Sequence, residues 1–154
     1  MSWDMWHVYG YGFETDSSRI SEEKMMEFIK NHHDSLEKIS PGMTKMLDAV
    51  IEEIEKEKKI PDWAEDEIKN CVDCGCYGEI IAKVMKAETG IDFCCTGMTD
   101  EGEEAVIFMS AYPWEYNRKE KVLTKDSLTE IFRKYGKELM EDVVVDNIDY
   151  VFSG

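Results

Sequence analysis

Ala105-Val106-Ile107-Phe108-Met109 is apolar at five successive positions. A strand with large apolar side chains on both faces has no face to give to water. The run therefore predicts a strand in the middle of a covered sheet. Pro113 ends the β-rich segment 105–112, because proline cannot donate to a ladder. Upstream, Ile91 to Thr96 is a second β-rich run, with Thr99-Asp100-Glu101-Gly102 as turn residues between the two. The pair reads as a hairpin. Further out, Trp6-His7-Val8-Tyr9-Gly10-Tyr11-Gly12-Phe13 predicts a first strand, with Gly10 and Gly12 on one face and Tyr9, Tyr11 and Phe13 on the other. Glycines on a strand face admit a close neighbour. Val143 to Phe152 reads as the last strand.

Helical signals fill the intervals. Ser21 is placed to cap a helix with Glu22 and Glu23 in its first turn, and Met25, Ile29, His32, Leu36 and Ile39 make one face. Ser40-Pro41 repeats the start signal. Met43, Met46, Leu47, Val50, Ile51 and Ile54 follow at helical spacing. Asp62 to Asn70 predicts a short helix capped by Asp62, and Tyr77 to Gly90 a fourth, stopped by its glycine. Thr124 caps a last helix that turns Leu128, Ile131, Phe132, Tyr135 and Leu139 inward. The order β-αααα-ββ-α-β predicts one α+β domain over residues 1–154: a largely antiparallel four-stranded sheet with about five helices.

The chain has 154 residues, 34 acidic against 18 basic, and a formal net charge of −16. Residues 1–77 carry a net −9 and residues 78–154 a net −7, so the acidity belongs to the whole body rather than to a tail. Such a field opposes direct binding to DNA or RNA and favours positively charged partners. The first residues lack a basic region followed by an apolar stretch, and no segment approaches the ~20 apolar residues that span a bilayer. Five cysteines, an odd number, argue against a disulfide framework. The expected location is a reducing cytoplasm.

No nucleophile elbow, zinc-protease helix, P-loop or dinucleotide fingerprint is present, so the expectation is a protein that is not an enzyme and carries no cofactor. Cys71-x-x-Cys74-x-Cys76 offers thiolates for zinc, with Cys94 or Cys95 as the fourth ligand. Against this, adjacent cysteines on a strand point to opposite faces. The set Cys71, Cys74, Cys76 and Cys94 is the metal alternative, weighed against four small buried hydrophobes. His32 and His33 are adjacent on a helix, about 100° apart, and read as structural. A small-molecule cleft beside the first strand and the Tyr112-Pro113-Trp114 bend is a further alternative. The aromatic sets around 3–13 and 112–116 read as core or, if exposed, as an interface.

The acidic clusters are the most unusual feature. Residues 48–67 hold nine acids against Lys56, Lys58 and Lys59. Glu52, Glu53, Glu55, Asp62, Glu65 and Asp66 are the candidate contacts, with Asp100, Glu101, Glu103 and Glu104 from the hairpin turn in second place. On a helix rising 1.5 Å per residue, acids along one face approach the roughly 1.7 Å average charge spacing of duplex DNA. A basic island over residues 118–137, net +4, could meet the acidic face of a second copy and support a homo-oligomer.

In size, body-wide negative charge, the Glu/Asp-rich stretch Glu52 to Glu67 and lack of catalytic motifs, the chain resembles small acidic accessory proteins of phages and mobile elements. Anti-CRISPR inhibitors are among them, and several act by DNA mimicry. The resemblance implies an inhibitor that occupies the nucleic-acid-binding groove of a positively charged partner protein.

Overall fold

The computed structural model describes residues 5–15, 19–72, 75–96, 104–109, 117–118, 121–122 and 124–153. Its elements are β1 (Met5–Glu14), α1 (Glu22–Asn31), α2 (His33–Ile39), α3 (Pro41–Lys56), α4 (Ala64–Asn70), α5 (Tyr77–Thr89), β2 (Phe93–Cys95), β3 (Ala105–Met109), β4 (Asn117–Arg118), β5 (Lys121–Val122), α6 (Lys125–Gly136) and β6 (Asp146–Ser153). The fold is α+β, with a four-stranded sheet in the order β2-β3-β1-β6 and every described pairing antiparallel. The run 105–109 is an interior strand, as its two apolar faces predict. A separate two-stranded ribbon, β4 with β5, was not expected.

The helix starts follow their caps. Ser21 Oγ accepts from the Lys24 N–H and Ser40 Oγ from the Met43 N–H, each at 3.2 Å, and Thr124 exchanges side-chain and main-chain bonds with Ser127. α5 ends on Gly90 at φ 73°, a left-handed position that glycine takes without strain. α4 departs from expectation. Asp62 does not cap it: the Pro61 carbonyl takes the Ala64 N–H at 3.1 Å, and the helix grows from that turn.

The first long helix is broken at His32, whose φ of −114° and ψ of 23° lie outside the helical range, so the described residues hold six helices rather than five. Met25, Ile29 and Leu36 keep their buried face, while Ile39 is exposed. In α3, Met43, Leu47, Ile51 and Ile54 are buried and Val50 packs against the core, but Met46 lies at the flank of the stripe and is 52% exposed.

Strand alternation sorts the sheet into two faces. Tyr11, Phe13, Phe93, Val106 and Phe108 join the main core with the helices, and Ala105, Ile107 and Ile148 form a second cluster with Cys94. Phe132 of α6 anchors the first face, edge-on to Phe93, Phe13 and Tyr11 with ring centroids at 5.1, 5.7 and 6.1 Å. Such aromatic pairs add about 0.5–1.5 kcal/mol each beyond the area they bury. On the second face a Cβ at Gly12 would fall 1.9 Å from the Val106 carbonyl oxygen, so the two strands approach as closely as they do only because position 12 is glycine. Tyr11 and Phe13 are core, as read from the sequence, whereas residues 112–116 lie outside the described residues.

Candidate functional site

Among the described residues, Cys71, Cys76 and Cys94 of the zinc alternative do not gather into one group. Cys71 follows α4, and its thiol donates to the Glu67 carbonyl at 3.3 Å. Cys94 faces the second cluster with Ala105 and Ile107. Cys74 lies outside the described residues. Burial pushes the Cys71 and Cys94 thiols above their ordinary range, Glu67 adding to the shift at Cys71, and Glu79 and Asp92 at Cys94. Neutral thiols in such places behave as small hydrophobes.

Cys95, not Cys94, is the member of the pair that faces Cys76. Alternation turns it to the helix side of β2, paired in register with Val106, and its Sγ lies 3.4 Å from Sγ of Cys76, the N-cap residue of α5. Glu104 completes the group: one ligand atom from each of Cys76, Cys95 and Glu104 lies within 4.8 Å of the others. Cys76 is 1% exposed and Glu104 2%. Glu104 is therefore not a surface contact. It precedes β3 by one residue, so it shares a face with Val106 and Phe108 and turns inward. Its carbonyl accepts the Thr15 N–H at 2.9 Å, which ties the end of β1 to the same corner. The Cys95 thiol hydrogen-bonds to Cys76 and holds it below the ordinary thiol range, against burial and the Glu104 charge.

The predicted acidic contacts divide by environment. Glu52, Glu53, Glu55, Asp62 and Asp66 are exposed, with Glu65 half-buried. Ion pairs engage three of them: Glu52 with Lys56 at 3.8 Å, Glu65 with Lys69 at 2.5 Å, and Glu55 with Lys30. Glu57 and Glu67 extend the exposed set. Surface pairs of this kind contribute roughly 0–1 kcal/mol and exchange readily, so they dilute the negative field without removing it. Asp100, Glu101 and Glu103 lie outside the described residues. An open groove of about 550 Å³ runs beside this surface between α1 and the end of α3, lined by both Lys30, Lys58 and Lys59 and Glu23, Glu27 and Glu55. Of the basic island, Lys125, Arg133, Lys134 and Lys137 are exposed on or just after α6.

His32 is structural, as expected, but through a network the sequence did not disclose. Nδ1 faces Glu88 Oε2 at 2.7 Å and Nε2 faces Glu138 Oε2 at 2.8 Å. Glu88 also accepts from the Ser35 hydroxyl at 2.7 Å and the Tyr135 hydroxyl at 2.8 Å. Burial alone would raise the Glu88 carboxyl, but the bonds from Ser35, His32 and Tyr135 outweigh it and hold the group below the usual range. The network joins the α1–α2 break to the ends of α5 and α6. His33, Asp34 and Glu37 form a second group of ligand-type atoms. That group sits at the surface, and His33 Nε2 is already paired with Asp48 at 2.9 Å.

No helix among the described residues is long and apolar enough to cross a membrane. Comparison of the chain with protein-family models, with curated proteins and with solved structures returns no match.

Proposed function

We propose that this chain is an acidic protein-interaction module, an inhibitor that meets the nucleic-acid-binding groove of a positively charged partner with the exposed acids of α3, α4 and the segment between them. The observation carrying this reading is that Glu53, Glu57, Asp62, Asp66 and Glu67 stand exposed in one continuous 15-residue segment. The apolar face of α3 is packed on the core, which fixes Glu53, and the buried Ala64 and Ile68 of α4 do the same for Asp66 and Glu67. Preorganised charge of this kind steers association and competes with a phosphate backbone at low entropic cost. The role needs no catalytic step and no cofactor.

The test is capture of partners from a bacterial lysate on the immobilised full chain, with salt elution and duplex DNA as competitor. Retention of a nucleic-acid-binding protein that DNA displaces, and that the triple variant Glu53→Lys, Asp62→Lys, Asp66→Lys loses, supports the reading. Retention unaffected by that variant overturns it. Sedimentation of the chain alone reports whether the basic face of α6 pairs with the acidic face of a second copy.

A further inference from the structure

A separate corner of the molecule carries an inference that does not rest on the acidic surface. We propose that Cys76, Cys95 and Glu104 form a binding site for a zinc-type divalent cation, with the Thr15 hydroxyl at its edge.

Four segments distant in sequence supply the groups: the end of β1, the cap of α5, the last residue of β2 and the residue before β3. The fold gathers them through the Thr15–Glu104 main-chain bond and the pairing of β2 with β3. The thiol separation of 3.4 Å is informative. A disulfide requires about 2.05 Å between sulfurs. Two thiolates at 2.3 Å from a tetrahedral zinc lie about 3.8 Å apart. The observed distance needs a shift of only a few tenths of an ångström to reach the second geometry.

The donor chemistry selects the class of ion. Two sulfurs and one carboxylate suit a borderline cation. Magnesium and calcium prefer oxygen alone, and copper(I) prefers sulfur alone. Glu104, at 2% exposure, and Cys76, at 1%, are acids withdrawn from water side by side. A buried cation offsets the cost of ionising them together.

Thr15 supplies an independent observation. It is 0% exposed, and its hydroxyl has no hydrogen-bond partner among the described residues. A buried hydroxyl left unmatched costs about 1–3 kcal/mol. This one is aimed at the same corner: Thr15 Oγ1 and Cys95 Sγ each lie 2.7 Å from the point a Cβ at Gly78 would occupy. Gly78, in the first turn of α5, lets both side chains press against the helix. A water completing a four-coordinate ion would give the hydroxyl its partner. Binding displaces the thiol protons to solvent, leaving two thiolates and a carboxylate around the dication.

The experiment uses the full chain, purified under reductant without chelator and equilibrated with zinc alone, then with cobalt(II) in its place. The expected result is one zinc per chain and thiolate-to-cobalt charge-transfer absorption. Affinity is expected to fall about 100-fold or more in Cys76→Ser and Cys95→Ser and to hold in Cys71→Ser and Cys94→Ser. If a serine variant fails to fold, alkylation of the unmodified protein decides: zinc is expected to protect Cys76 and Cys95 but not Cys71 and Cys94. Metal well below one equivalent, affinity that survives loss of both thiols, or a Cys76–Cys95 disulfide formed under reductant overturns the proposal.

Discussion

Glu88 and Glu104 are both drawn into side-chain networks, and they are served differently. Glu88, its side chain 26% exposed, is met by the His32 ring and the hydroxyls of Ser35 and Tyr135. These are strong donors, and His32 has a second carboxylate, Glu138, on its far nitrogen. Glu104 is nearly inaccessible and stands among two thiols, with its carbonyl bonded to the Thr15 N–H. Thiols are weak donors. The first arrangement is complete in protein atoms and reads as a rivet between helices. The second brings two thiols and a carboxylate together, the donor set of the proposed cation site.

The largest expected effect breaks the first arrangement. His32→Ala leaves two carboxylates facing each other where a ring joined them, and should lower unfolding free energy in urea by about 3 kcal/mol. Glu88→Gln keeps the shape and weakens the bonds, at about 1–2 kcal/mol. The same carboxyl sets an acid dependence. Its folded value lies below the ordinary 4.5, so its contribution is present above that pH and is lost as pH falls through the folded value. Glu88→Gln should flatten the stability profile in that window alone, measured by urea titration at successive pH values.

Glu104→Gln sharpens the contrast. In metal-free protein it should change stability by less than about 1 kcal/mol, since the amide keeps the shape of the side chain and removes a charge withdrawn from water. Added zinc should stabilise the unsubstituted chain but not this variant, which thermal melts with and without zinc would read. Glu53→Lys and Asp66→Lys, fully solvated, should each move stability by less than about 0.5 kcal/mol while altering partner capture. The His33–Asp48 pair is the smallest case. Its hydrogen bond to Asp48 raises the His33 value above 6.5, so its few tenths of a kcal/mol are present below pH 6.5 and fade as pH rises through the folded value. Asp48→Asn should reduce that small slope, leaving only what Glu37 and Asp34 contribute.

Local signals carried most of the fold. The caps at Ser21, Ser40 and Thr124, the stop at Gly90 and the interior position of 105–109 depend on neighbouring residues, and each is where the sequence puts it. The break at His32 depends on Glu88 and Glu138, 56 and 106 residues away, and no periodicity discloses it. The thiol corner was half legible. Alternation separates Cys94 from Cys95, but which of the two faces α5 is a tertiary fact. Glu104 was read as one more acid of a polar turn because Asp100, Glu101 and Glu103 precede it. The overlooked signal is its parity with Val106 and Phe108, which places it on the core face.

The sheet order also has a consequence for how the chain is made. β1, which precedes the other described strands in the chain, pairs with β3 and with β6, which follows them all. Helices α1 to α5 form from local contacts while β1 still waits for its neighbours. At about 5–20 residues per second, the interval between β1 and the completion of β6 is roughly 7–28 s. Throughout it the aromatic segment Tyr9 to Phe13 has an open edge on the ribosome. A nascent chain stalled before Asp146 would keep that edge open, so the eight-residue β6 acts as the closure that takes β1 out of the pool of sticky intermediates.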